Sequence, residues 1–282
     1  VTEFLEALGN PDIPFLRYAL LAGLLASFAF GIVGTYVVTR RISYIAGAIS
    51  HSVLGGIGIA LYLQLQHAAA WLHPMYGAVA AAVLAALLIG LVSLRARQRE
   101  DTVIGALWAI GMATGLVFLA KTPGYVDPMS YLFGNILLIS KADLWLIAVL
   151  DLFVVGLSAY FYNSLQAVCF DDEFARLRGV NVDFFFLLLL TLTALTVVLL
   201  VRIVGIVMVI ALLTLPAAVA AYFTNKLWQM MLIAVFSCMI FVAVGIALSY
   251  VCDLPTGPTI ILFAGAVYLI LTAASRTWKR SS

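Results

Sequence analysis

The chain has 282 residues, of which 65% are apolar and 10% charged, at a mean hydropathy of +1.15. Soluble domains run at about 45–50% apolar and ~25% charged, so a water-soluble fold is excluded and a polytopic membrane protein is expected. A formal charge of +2, with no basic aromatic face to read a strand, excludes nucleic acid as a partner.

A helix crossing the hydrocarbon core needs about 20 mostly apolar residues. Charge clusters, prolines and glycines divide the chain into nine such segments: 15–38, 43–65, 74–94, 102–121, 143–162, 183–201, 204–223, 228–250 and 256–275. Merging or demoting a segment around Arg202 and Gly205 gives eight. Glu3, Glu6 and Asp12 precede the first run. That acidic start is the opposite of a secretory signal, so a retained first span is expected. Thr122 to Pro128 reads as a loop from its turn residues. Tyr131 to Ile139 is apolar but too short to span, and a re-entrant or interfacial segment is expected there. No loop is long enough to bury a core of its own, so residues 1–282 read as one transmembrane domain in an all-α bundle. The scattered Cys169, Cys238 and Cys252 imply no disulfide framework and read as packing residues.

Cytoplasmic loops carry an excess of Lys and Arg. With the N-terminus outside, the alternate loops hold Arg40, Arg41, Arg95, Arg97, Arg99, Arg176, Arg178, Lys226, Arg276, Lys279 and Arg280, which is 11 of the 15 basic residues. The expected topology is therefore N-terminus out and C-terminus in.

Within the second span, Gly47, His51, Gly55 and Gly58 fall at i, i+4, i+8 and i+11, along one helical face. Small residues let helices approach closely, so this face should pack inside the bundle, with His51 aimed at protein or at a water-filled path. The Gly55-Gly56-Ile57-Gly58 cluster also suggests a local break of the kind that lines transporter cavities. An ionisable group in the membrane interior is costly; His51 is either part of a pathway or a packing histidine bonded to a neighbouring helix. Asp151, near the middle of the fifth span, must be protonated, paired or hydrated. It is a second ligand, a partner for His51, or a structural group bonded to Ser158 or Tyr162. Pro216 interrupts the seventh span by removing a backbone donor, and a kink is expected.

The longest cytoplasmic stretch, 163–182, has three acids (Asp171, Asp172, Glu173) ahead of two arginines (Arg176, Arg178). That order suits the dipole of a short helix, and Gly179 is fit to end it. Phe174 and Leu177 share one side and offer a partner something to grip; the alternative is a solvated connector lying on the bilayer. The sequence has no Gly-x-x-x-x-Gly-Lys-Ser/Thr loop, no His-Glu-x-x-His and no nucleophile elbow. ATP-driven movement of a solute would need its nucleotide site on another subunit.

Arg40 to Gly58 resembles the second-span region of ABC permeases that import zinc, manganese or iron(II), and Asp171 to Val180 resembles the cytoplasmic coupling segment of that family. Leu132 to Ser140, Leu213 to Ala218 and Asp253 to Thr259 look like further signatures in the expected order, so the likeness covers nearly the whole chain. It implies a permease fold of the vitamin B12-permease-like type and a second permease subunit, identical or not. It also implies two cytoplasmic ATPase subunits that bind the ATP, an extracytoplasmic metal-binding protein, and a bacterial inner-membrane location. No cofactor is permanently bound, since the divalent metal is cargo. Asp171, Asp172, Glu173, Phe174, Arg176, Arg178 and Gly179 would then couple to the ATPase, and His51, with Asp151 as a further candidate, would meet the metal. One departure stands out: the family commonly has an aspartate four residues before the histidine, and here that residue is Gly47.

The expected activity is import of a divalent transition metal, descending past the Asp253 loop to a constriction at His51. A histidine must be neutral to ligate, so uptake should weaken below pH ~6.5. Three alternatives remain: a permease for a chelated metal or vitamin, an intramembrane enzyme using His51 and Asp151 as acid and base, and a purely structural subunit.

Overall fold

The computed structural model describes residues 14–66, 71–95, 100–123, 128–134, 139 and 141–281. Glu3, Glu6, Asp12, Arg97, Arg99, the 124–127 part of the expected loop and residues 135–138 and 140 lie outside them, as do the side chains of Arg202, Arg276, Lys279 and Arg280. The described residues are helical, with no strand among them. In order they form α1 (Pro14–Thr39), α2 (Ser43–Gln66), α3 (Pro74–Arg95), α4 (Glu100–Lys121), α5 (Pro128–Phe133), α6 (Lys141–Tyr160), α7 (Tyr162–Phe170), α8 (Asp172–Leu177), α9 (Val182–Val204), α10 (Ile206–Ala220), α11 (Leu227–Cys252) and α12 (Thr256–Ser281).

Seven of these, α1, α2, α3, α4, α6, α11 and α12, are long and apolar enough to cross a membrane. The sixth and seventh of the nine crossings expected from sequence are not among these seven; they correspond to α9, which is 23 residues long, and to the shorter apolar helix α10. α10 is short because it starts at Gly205, whose φ of 81° is a left-handed conformation that glycine adopts without a steric penalty. It separates α9 from α10, and the 15 residues of α10 rise only about 22 Å against a hydrocarbon core of ~30 Å.

Five buried hydroxyls in the bundle are satisfied locally. Ser27, Thr35, Ser50, Thr193 and Thr196 each donate to the carbonyl four residues back at 2.6–2.8 Å, which removes an unsatisfied donor from the apolar interior. The core is built around α1 and α2. α1 packs against α6, α10 and α11, with Gly31 against the Val235 backbone and Gly34 against the Leu213 carbonyl. α2 packs against α3, α4, α9 and α10, and every residue from Ile45 to Gly58 is buried.

Three distant stretches meet at one end of the bundle. A Cβ on Gly205 would lie 2.3 Å from the Gly134 nitrogen, and one on Gly257 would lie 2.6 Å from the Phe133 carbonyl oxygen. Parts of the Leu132–Ser140 and Asp253–Thr259 runs therefore touch each other and the α9–α10 junction. The segment expected to be re-entrant begins as the six-residue α5.

Candidate ion path and coupling surface

His51 sits midway along α2, 8% exposed. Its ring stacks on Trp108 of α4, with centroids 4.5 Å apart and planes at 21°. Its Nδ1 is buried with no hydrogen-bond partner. The glycine face does pack helix on helix: a Cβ on Gly55 would lie 2.8 Å from the Gly111 carbonyl oxygen, and one on Gly58 would lie 2.7 Å from that of Gly115. The local break expected at Gly55–Gly58 is absent, and α2 runs unbroken from Ser43 to Gln66. Both sides hold it straight, since Gly56 meets Gly77 of α3 opposite the α4 contact. Trp108, Gly111 and Gly115 escaped the sequence reading. Gly111-x-x-x-Gly115 was the available signal, a small-residue spacing that marks a close helix interface.

Asp151 is buried on α6 and accepts a hydrogen bond from the Ala29 backbone N–H of α1 at 2.9 Å. Neither Ser158 nor Tyr162 bonds to it; the Ser158 carbonyl instead accepts from the Tyr36 hydroxyl at 3.3 Å. His51 packs on α4 and Asp151 on α1, and no hydrogen bond joins the two. Among the described residues no group of three or more His, Cys, Asp or Glu side chains converges. A cleft of about 620 Å³ opens between α1, α6 and α11, lined by Phe28, Tyr36, Trp228 and Phe236 among others. It is apolar and includes neither His51 nor Asp151. Pro216 lies buried inside α10, where it withholds the N–H that would serve the Leu212 carbonyl.

The 163–182 stretch contains the short helix that its charges suggested. Asp171 caps α8, its Oδ1 accepting from the backbone N–H groups of Glu173 and Phe174 at 3.0 Å each. At the other end Gly179 has φ 77°. Val180 N–H donates to the Ala175 carbonyl and Gly179 N–H to that of Arg176, both at 3.0 Å. This pair of bonds is the Schellman closure that a left-handed residue permits. Phe174 and Leu177 are exposed at 49% and 87%, and the Arg178 guanidinium lies 4.9 Å over the Phe174 ring. A cleft of about 560 Å³ runs beside them, lined by Asn163, Phe170, Asp171, Phe174 and Arg178 among others.

Two of the charged residues in this stretch form ion pairs, one part-buried and one exposed. Asp172 takes a bidentate pair from Arg40, Nη1 to Oδ1 and Nη2 to Oδ2 at 2.7 Å each, and Arg176 pairs with Asp183. Arg40 Nη1 also donates to the Val168 carbonyl at 2.6 Å, and the guanidinium lies 5.4 Å over the Phe186 ring. Arg40 and Arg41 form the turn between α1 and α2, where Arg41 adopts φ 62°. This polar clamp ties α8 to the turn between α1 and α2. Beneath the clamp, burial pushes the Cys169 thiol up to about 12, with the nearby Arg40 charge pulling the other way.

A bundle of helices long and apolar enough to cross a membrane, carrying a short exposed helix clamped at one turn, defines a multi-pass membrane protein. Residues 12–275 match the ABC 3 transport family, and the chain belongs to that family. A relative from Chlamydia trachomatis serovar D, described as a probable metal transport system membrane protein, is 38% identical over 95% of this chain and 92% of its own length. The manganese transport system membrane protein MntC of Listeria monocytogenes is 31% identical, covering 95% of this chain and 92% of its own. Among solved structures, PsaBC from Streptococcus pneumoniae in complex with Fab aligns with a TM-score of 0.83 at 28% identity, over 95% of this chain and 94% of that one. The resemblance of this sequence to metal-ion ABC permeases is thereby borne out.

Proposed function

We propose that this chain is the membrane permease subunit of an ATP-driven importer for a divalent transition metal ion, with manganese ahead of zinc and iron(II). The observation that carries the reading is a buried imidazole with an unpartnered Nδ1 on the helix that follows the α1–α2 turn, and an exposed, doubly capped helix clamped to that turn. Relatives named for manganese support the order of metals. In the bacterial inner membrane α9 and α10 would complete nine crossings, with the N-terminus outside and α8 in the cytoplasm. Two permease chains would face each other, identical or not, with the ion path between them. An extracytoplasmic metal-binding protein would deliver the ion at the end where Phe133, Gly205 and Gly257 meet.

Two cytoplasmic ATPase subunits would seat Phe174, Leu177 and Arg178 in their own grooves and bind the ATP. Their closure displaces α8, and the Arg40–Asp172 clamp passes that displacement to the α1–α2 turn. α2 is one continuous helix, so movement at its start reaches His51, two turns further on. Glu173 and the capping Asp171 keep α8 formed while it is pushed.

The test is metal accumulation in cells with and without the chain, measured across manganese, zinc and iron. Manganese content should fall when the chain is removed and return when it is restored. Unchanged content of all three metals would rule out the reading.

A further inference from the structure

Position 47 lies one helical turn before His51 on the same face of α2, where a second side chain would reach the same ion. That place is already filled. A Cβ on Gly47 would lie 2.6 Å from Cζ3 and 3.0 Å from Cη2 of the Trp108 indole. The same indole stacks on the imidazole. Stacking covers a face of the ring and leaves its edge clear, and the edge is where the nitrogen lone pairs point. Nδ1 is buried without a partner, a deficit that an apolar setting penalises. Ring nitrogens at metal sites are commonly aligned by a carboxylate or carbonyl behind the histidine; the buried Nδ1 of His51 has neither, and the stacked indole fixes the plane of the ring.

We propose that Trp108 is the positioning residue of this ion path. Its indole orients His51 by stacking and occupies the position of a second ligand from residue 47, so this helix face offers a passing divalent cation a single imidazole. A single neutral nitrogen holds such a cation loosely and releases it readily, which suits conduction. It leaves the choice among first-row ions to the other groups they meet along the path. This rests on the metal-permease reading above.

Equilibrium dialysis of the purified native assembly against manganese or zinc alone tests it, using Gly47→Asp, Trp108→Ala, Trp108→Phe and the Gly47→Asp/Trp108→Ala double variant. The double variant should bind manganese at least about tenfold more tightly than wild type, because it gains a charged ligand in an emptied space. Gly47→Asp alone should show no such gain, with the indole still in place. Trp108→Phe, which keeps a stacking ring, should bind as wild type does, and Trp108→Ala more weakly. Equal tightening in Gly47→Asp and the double variant, or equal binding in the Ala and Phe variants, would overturn the proposal. If wild-type cells accumulate no metal through this chain, the permease reading falls instead, and dialysis still decides the part played by Trp108.

Discussion

The seam between α2 and α4 and the projection formed by α7 and α8 are built on opposite principles. At the seam, side chains are nearly eliminated: Gly55 and Gly58 meet Gly111 and Gly115 backbone to backbone, and one imidazole and one indole fill the gap that remains. At the projection, side chains do the structural work, with a carboxylate cap, a left-handed glycine, a bidentate ion pair and a cation over a ring. The first arrangement cannot yield without steric conflict. The second presents apolar and charged groups to whatever docks on it. The difference separates a close-packed seam that holds a buried imidazole from an exposed surface of apolar and charged groups, with Arg40 as the joint between α8 and the α1–α2 turn.

That contrast can be broken most severely at the seam. The Cβ of any residue at 111 would already lie 2.6 Å from the Ser52 Cα, so Gly111→Leu should cost well beyond the usual overpacking range of about 1–3 kcal/mol. Little assembled permease should reach the membrane fraction on an immunoblot, whereas Phe174→Ala should reach it at wild-type level and lose ATPase association. A wild-type yield of Gly111→Leu would mean that the seam is not rigid.

A double-mutant cycle on the joint should give the next largest effect. Arg40→Ala and Asp172→Ala should each reduce uptake, and the double variant should be no worse than the poorer single. The coupling expected of a half-buried bidentate pair is about 1–2 kcal/mol. Additive losses would mean that the pair does not transmit motion.

Gly179→Ala strains the left-handed cap by about 1–2 kcal/mol. It should weaken ATPase stimulation while leaving membrane abundance unchanged. Thiol labelling near pH 8 should show the smallest effect. Exposed Cys252 should react while Cys169, buried with its thiol pushed up to about 12, stays protonated and slow. Prompt labelling of Cys169 would show that the clamp opens at rest.

Much of this architecture was legible because apolar run length is read directly by the membrane. The nine segments appear as helices within six residues of their expected ends, and even the division at Gly205 was visible as a charge three residues before a glycine. The α8 helix and its glycine end were legible for the same local reason, since the charge order and Gly179 act within one turn of where they stand. Long-range pairings were hidden. No local signal assigns Asp172 to Arg40 rather than to solvent, or Asp151 to the Ala29 N–H, because both partners lie more than a hundred residues away. The glycine cluster of α2 was ambiguous between a break and a seam. Its partners on α3 and α4 decided it, and the indole filling the gap beside Gly47 could only be seen once those helices were side by side.

Manganese uptake by cells carrying His51→Ala at matched membrane abundance and matched ATPase association tests the central claim most directly. Uptake should fall by about tenfold or more, the range seen when groups around a metal are removed, with the coupling surface intact. Wild-type uptake in that variant would contradict the account, since the buried imidazole would then be a packing group and the ion would pass elsewhere.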